Sequence, residues 1–464
     1  MKRVTIVAVG LLLAALMVSI ACGPGATPTP SPSPTPTPTA PPTSEPLPDE
    51  IKIGILGPMK FSHGQHMMIG AQIAEEEINA NGGVSVGGQK VPIKLVELDT
   101  NEFISLDDAA AAMTRGVTSD GCLALIGGIV GEAVIPMREI AMDNKAIYVV
   151  CGSNTPEVGE GVEEDYERYK YNFHTQSYIG DLAAGYYMPL WMEVAARAVR
   201  EQLGVDTVRV ALFGEQTEGL QVFIDELNNP HRYYDDWLNK LNLELVGTWQ
   251  VSRVATDLTP ELTALRAAKP HVVMQALTSP VGVAFGRQFT QLEIPAVTCG
   301  YNVEGNKKSF WEESGGAADY LSFSHFFVEG TALTPRTAPF LQKFEEKTGD
   351  WPAYTATAYS AVYIIAEGIE RAGSLAPDAV VAGMEETDFT GPEGRYVFES
   401  NHRPKYGPDY LPHMIGQWRD GKVVPVWPDG KATTFEAVYE GSTVPGVRPI
   451  ELPPWMIEYW KKQM

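Results

Sequence analysis

From residue 51 onward, short apolar blocks alternate with longer stretches in which apolar side chains recur every three or four positions. The block IKIGIL (51–56) predicts a strand. HGQHMMIGAQIAEEEINANGG predicts a helix, with apolar Met68, Ile69, Ala71, Ile73 and Ile78 set against Glu75, Glu76 and Glu77. Asn81-Gly82-Gly83 stops it, because glycine readily takes the left-handed conformation that closes a helix. VPIKLVELD predicts a second strand and SLDDAAAAMTRGVTSDG a second helix, with Ser105 and Asp108 spaced like a capping box. LALIGG, a helix over about 132–143 and AIYVV continue the series. Strand–helix alternation of this kind predicts right-handed crossovers and a parallel sheet.

The pattern restarts after residue 178. A helix over about 180–203 leads to VRVALFG, a helix, LELVGTWQV, the helical TPELTALRAAK, PHVVMQAL, the helical VGVAFGRQFTQL, and IPAVTCG. Strand YLSFSHFF and two helices, APFLQKFEEKTG and YTATAYSAVYIIAEGIERAG, follow. HMIGQWRDGKVVPVWP predicts a hairpin turning at Asp420-Gly421, with Pro425 on an edge strand. Ligands of open parallel sheets bind beyond the carboxyl ends of the strands. Six Gly-rich or small polar loops hold that position: GPMKFSHG, GGIVGEA and CGSN in the first unit, GEQTEG, TSPVG and GYNVEG in the second. Two such rims facing each other would clamp a ligand.

Composition narrows the function. The chain has 464 residues, 44% of them hydrophobic, enough for a large core and more than one lobe. A net charge of −23 without a basic stripe argues against a nucleic-acid partner. Four cysteines are too few for a disulfide framework. MKRVTIVAVGLLLAALMVSIAC has the basic start and apolar run of an export signal. Its end resembles a bacterial lipoprotein signal, in which Cys22 is lipidated, although Ser19 stands where leucine is usual; an uncleaved membrane anchor is the other reading. Eleven of the 35 prolines fall in residues 23–50. This tract favours extended polyproline II and reads as a stalk of up to ~80 Å.

IKIGILGPM…GAQIAEEEINANGGV, LIGGIVGEAVIPM…AIYVVCGSNTPEV, TATAYSAVYIIAEGIERAGS and FTGPEGRYVFESNHR, in this order over residues 51 to 430, resemble the branched-chain amino-acid (Leu/Ile/Val-binding) type of extracytoplasmic solute-binding proteins of ABC importers. The resemblance implies an α/β fold of two Rossmann-like lobes with parallel sheets joined by three hinge crossovers, the type I periplasmic binding protein fold. Beyond the signal (1–22) and linker (23–50) it divides the chain into lobe 1 (51–176 and 327–390) and lobe 2 (177–326 and 391–464). It implies a small solute trapped at the hinge and delivered to ABC permease subunits, by a monomer anchored to the membrane through lipid outside the cytoplasm, with no chemistry and no cofactor.

Carried over by position, the family's pocket aromatic falls on His63. Its serine-rich loop falls on Val130, Gly131 and Glu132, where the hydroxyls are missing. The loop that receives the ligand amine falls on Gly152, Ser153 and Asn154, and Gln176, Ser177 and Tyr178 occupy the crossover. In the second lobe the pocket tyrosine falls near Gln216, Ser279 sits on a rim loop, and the acidic partner of the ligand amine falls on Tyr301 or Asn302, with Glu304 two or three positions late. The amino-acid clamp is incomplete, so branched-chain amino acids are not the expected solute. A cleft-facing Glu132 calls for a ligand cation or a basic residue, because an unpaired buried charge is costly. Its other reading is a first-turn acid favoured by the helix dipole.

Other motifs have plainer readings. HGQH lacks the companions of a metal site, so no metal is expected. In GYNVEGNKKS, Asn306 displaces Lys307 from the spacing of a phosphate-binding loop. The charge run 160–171 is expected to be a solvated insert, and the aromatic-rich 228–240 to be core or lobe-edge cover. Cys122 precedes one strand and Cys151 follows a parallel one, which places them too far apart for a disulfide. Two other functions compete: a sensor subunit that presents its ligand to a signalling partner, and an extracellular cysteine hydrolase using Cys151 with His63 or His174, which needs an electropositive, accessible thiolate.

Overall fold

Strands that are apolar on both faces stand inside the sheets, and those that alternate stand at the edges. The computed structural model describes residues 46–463 apart from 154, 177–186, 229–235 and 435–436. The export signal, Cys22, most of the 23–50 linker, Asn154 and Tyr178 therefore lie outside the described residues. Strands β1 (Ile51–Gly57), β2 (Val84–Val86), β3 (Gln89–Val91), β4 (Ile93–Asp99), β5 (Ala124–Gly127), β6 (Ile147–Val150) and β7 (Asn172–His174) belong to the first half. β2 and β3 form a small hairpin, and the other five make a parallel sheet in the order β4-β1-β5-β6-β7. β5 and β6 are wholly buried, whereas β4 alternates, as an edge strand with one wet face must. Helices α1 (Ser62–Ala80), α2 (Leu106–Thr118) and α3 (Gly131–Asp143) cross between the strands. Ser105 caps α2 as its spacing predicts, its Oγ accepting the Asp108 N–H at 3.2 Å. The charge run takes in the end of α4 (Glu157–Glu164) and all of α5 (Tyr166–Tyr169). Its charged tips are exposed as expected, but the underside of α4 is docked: Val158 and Val162 are buried, and Arg138 Nη1 donates to the Glu157 carbonyl at 2.6 Å.

The second half repeats the scheme. α6 (Met188–Leu203), β8 (Val208–Glu215), α7 (Glu218–Asn228), α8 (Trp237–Lys240), β9 (Leu243–Val251), α9 (Thr259–Ala267), β10 (Val272–Leu277), α10 (Val281–Gln291) and β11 (Val297–Asn302) give a parallel sheet in the order β11-β10-β8-β9. Alternation decides its two cores. Val208, Val210 and Leu212 of β8 join Trp191 and Trp427 on one face, while Ala211 and Phe213 join Phe285 and Phe289 on the other.

The chain then runs through α11 (Phe310–Glu313), β12 (Ser322–His325), α12 (Thr337–Thr348), α13 (Ala358–Ala372), α14 (Pro377–Glu385), β13 (Phe389–Thr390), β14 (Arg395–Tyr396), β15 (Met414–Arg419), β16 (Lys422–Trp427) and α15 (Pro454–Lys461). α12 and α13 return to the first half. Tyr359 and Tyr363 on α13 each donate to Glu77 on α1 at 2.7 Å, and a Cβ on Gly70 would lie 2.5 Å from the Ala356 carbonyl oxygen. That packing turns α1 slightly from the face its sequence suggests: Met67 and Ala74 are fully buried, while Met68 and Ile69 are only half-buried. One apolar cluster therefore joins residues between 51 and 173 to residues between 327 and 411. β15 and β16 turn through Asp420 (φ 51°) and Gly421 (φ 75°), the backbone a two-residue hairpin loop requires, and Pro425 lies on the edge strand of the order β12-β15-β16. The described residues from 47 onward pack as a single unit.

Candidate functional site

The carboxyl ends of the two parallel sheets meet. Register aligns Gly57 with Asp99 and Gly127 with Val150 in the first sheet, and Leu277 with Asn302 in the second. Polar contacts join the loops that leave these ends. Ser62 Oγ, at the start of α1, donates to Glu304 Oε1 at 3.2 Å, and His63 Nδ1 stands 3.7 Å from the same oxygen. Arg253, just beyond β9, donates from Nη2 to Glu132 Oε1 at 3.2 Å.

His63 is fully buried, edge-on to Phe103 (centroids 5.4 Å) and Tyr354 (6.4 Å). Neither ring nitrogen makes a hydrogen bond of normal geometry to a described residue. Burial lowers its pKa, with Glu304 pulling the other way, so the ring is neutral near pH 7. Glu304 lies in the turn after β11 and is 3% exposed. Burial pushes its pKa up, but the charge and hydrogen bond of Lys307, with the hydrogen bond of Ser62, work against this, and the net shift is below the usual value. Lys307 Nζ lies 2.6 Å from Glu304 Oε2 and 3.1 Å from Glu313 Oε2.

Two buried carboxylates fasten the rim loops from beneath. Glu102 accepts the N–H groups of Ile129 (2.9 Å) and Val130 (2.8 Å) and the Thr100 hydroxyl (2.9 Å), which fixes the entry to α3. Glu215, at the end of β8, accepts the N–H groups of Thr278 (2.6 Å) and Ser279 (2.7 Å). Burial raises both pKa values against these donors. A cavity of about 130 Å³ lies between the halves, walled by Glu102, Phe103, Leu106, Glu132 and Arg253 among others.

The other residues singled out in the sequence fall as follows. Gly131 opens α3 with no room for a side chain, since a Cβ would meet Thr155 Oγ1 at 2.5 Å. Gly152 presents its carbonyl to Tyr354 Oη, which donates at 2.9 Å. Ser153 gives its N–H to the Gly128 carbonyl at 2.9 Å and shares a hydroxyl contact with Thr155 at 2.6 Å. Gln176 is buried and donates from Nε2 to the Cys151 carbonyl at 2.7 Å, while its Oε1 has no partner among the described residues. Ser279 Oγ donates to the Arg253 carbonyl at 2.7 Å. Tyr301 packs in the second-half core with Trp191 and Phe223. Asn302 uses its amide inside the turn, on Gly282 and Gly305. Gln216 is exposed. Thus His63 meets Glu304, Glu132 meets Arg253 and Gly152 meets Tyr354. The first two pairs span the halves; in the third, Gly152 meets Tyr354 of the returning chain.

Arg253, Lys307, Tyr354, Glu102 and Glu215 were not singled out as site residues in the sequence. Glu304 and Lys307 stand three apart, the spacing of a local ion pair, which is a usable signal. Arg253 opposite Glu132 brings together loops of different sheets, and no sequence pattern marks that.

The arrangement does not activate a nucleophile. Cys151 is fully buried, and burial with the nearby Glu102 pushes its thiol far above the ordinary range, the reverse of what a thiolate needs. His174 is buried and held neutral, its pKa lowered to about 3. Cys122 and Cys151 are free thiols. Among the described residues no group of His, Cys, Asp and Glu is arranged to hold a metal, and no helix is long and apolar enough to cross a membrane.

The sequence profile of the family described as periplasmic binding protein matches residues 50–421. A Leu/Ile/Val-binding protein homolog 7 from Brucella abortus (strain 2308) is 23% identical over 407 residues, 83% of this chain and 94% of that protein. The crystal structure of a leucine binding protein, LivK, from Thermotoga maritima MSB8 superposes with a TM-score of 0.63 at 22% identity, covering 81% of this chain and 97% of that one. A solute binding protein of an ABC transporter from R. palustris, solved in complex with benzoate, gives 0.64 at 15% identity, covering 81% and 95%. With a profile that spans most of its length, the chain belongs to the periplasmic binding protein family.

Proposed function

We propose that this protein is an extracytoplasmic receptor that closes its two lobes on a small solute and hands it to the permease of an ABC importer, without chemical change. The observation that carries the reading is the meeting of the two sets of strand ends, bridged by Ser62 and His63 to Glu304 and by Glu132 to Arg253. Hinge closure around a ligand uses this geometry. The solute then lies among His63, Gly131, Glu132, Gly152, Ser153 and Asn154 of one lobe and Ser279, Tyr301 and Asn302 of the other, with Gln176 and Tyr178 at the crossover and Gln216 at the rim. The lobes exchange chain near residues 176, 326 and 390. Cys22 carries the lipid anchor, and residues 23–50 hold the receptor, a monomer, away from the membrane.

A thermal-shift panel of amino acids, amides, aromatic acids and polyamines tests the reading. A solute at 100 times its dissociation constant adds about 2.7 kcal/mol to stability. A panel of this breadth that leaves the melting temperature unmoved overturns the proposal.

A further inference from the structure

The carboxylates that the described rim loops present to the junction are already met by this chain. Glu102 and Glu215 accept backbone N–H groups, and Glu132 faces Arg253. Glu304 is the informative case. It is 3% exposed, its carboxylate accepts no backbone donor among the described residues, and a buried carboxylate of that kind is a natural seat for a cation. Lys307 fills the seat from within the same turn, its Nζ 2.6 Å from Oε2, while Ser62 Oγ takes Oε1 at 3.2 Å. The pair is local in sequence, so it forms within one lobe whether or not the other has closed on it. The second carboxylate on Lys307, that of Glu313, is 38% exposed and meets Ser309, so its charge faces water. An arriving ammonium would have to expel Lys307 Nζ and leave a buried cation short of its closest partner, which is strongly unfavourable. Beside the pair stands His63, fully buried, neutral, and without a hydrogen bond of normal geometry to a described residue on either ring nitrogen.

We infer that Lys307 occupies, against Glu304, the place a solute's ammonium group would take, so that the receptor selects small solutes without a free ammonium group and rejects the corresponding amino acids. The inference rests on the solute-receptor reading above. Lys307 is on this account a specificity-determining residue.

Isothermal titration of the full chain with matched pairs tests it: L-leucine against 4-methylpentanoate and L-phenylalanine against 3-phenylpropanoate, within the broad panel already described. The tightest binder is expected to lack an ammonium group and to bind at least ~10-fold tighter than its aminated counterpart. Lys307→Met exposes Glu304 to the ligand and is expected to shift that preference at least ~10-fold toward the amine, and Glu304→Gln with Lys307→Met to restore it. A tightest binder that carries a free ammonium group overturns the inference and leaves the receptor reading standing. A panel without any binder overturns the receptor reading, and the inference with it. Both decisions come from the unsubstituted protein, so neither depends on a variant folding.

Discussion

Glu304 and Glu132 both meet a cation, and solvent separates their consequences. The Glu304–Lys307 pair has side chains 4% and 7% exposed, whereas Glu132 and Arg253 are 32% and 18% exposed and touch at 3.2 Å. A half-wet pair contributes little, so Glu132→Gln is expected to change stability by less than ~1 kcal/mol in urea unfolding. Removing one member of a buried pair strands the other, and Lys307→Met is expected to cost about 3 kcal/mol or more, with Glu304→Gln added to it recovering part of the loss. Equal effects of Glu132→Gln and Lys307→Met would refute this ranking. Cys151 follows the same logic of burial. Fully buried beside Glu102, its thiol is expected to resist alkylation in the native protein and to react only on unfolding, as peptide mass mapping will show. Rapid native labelling at Cys151 would reopen the case for an enzyme.

At the scale of elements, the site depends on how strands end. Gly127 closes β5 with φ 141°, and a Cβ there would lie 1.9 Å from the Leu56 carbonyl oxygen of the neighbouring strand. Gly127→Ala therefore combines a disfavoured backbone with a backbone clash, and is expected to lower stability by more than ~3 kcal/mol, read as a fall in melting temperature. Retention of the wild-type melting temperature would contradict the register of β1 and β5. The central strands were legible because they are continuous apolar runs, and α2 because Ser105 announces its start. Less of the site was legible. His63, Gly131 and Gly152 could be placed from their loops, but their partners Glu304 and Tyr354 arrive from more than two hundred residues away, and Arg253 reaches Glu132 from the other sheet. The docking of α4 and α5 was hidden because charged residues dominate the segment, and the apolar pair four apart, Val158 and Val162, is too short a stretch to outweigh them. Local signals specify elements; a site assembled from six separate loops is specified by tertiary packing.

The whole molecule stores its charge response in buried histidines. Burial lowers the pKa of His66 and His271 to about 4 and of His174, His325 and His413 to about 3. Three of these rings accept hydrogen bonds, from Ala353 N–H, Arg209 N–H and Trp191 Nε1–H, so they are neutral in the fold. Between about pH 6.5 and pH 4 the unfolded chain takes up protons that the folded chain refuses, and stability falls as pH falls. Glu393 opposes this trend. It is 5% exposed and hydrogen-bonded by Tyr396, and burial raises its pKa to about 7. Below the unfolded value near 4.5 its contribution to stability is fully present; as pH rises toward 7 the unfolded chain releases this proton before the folded chain does, and the contribution is lost. Glu102 and Glu215, whose pKa values burial also raises, act in the same sense as Glu393, so the five imidazoles and these carboxyls pull the acid response in opposite directions. The carboxyl term can be isolated, because glutamine does not titrate. Relative to the unsubstituted protein, Glu393→Gln is expected to gain stability between about pH 5 and about pH 8, by up to ~3 kcal/mol, measured by urea unfolding at both pH values. A difference that stays constant across that range would mean that Glu393 is ionised in the fold, and that Tyr396 and its surroundings stabilise a buried charge instead of an acid.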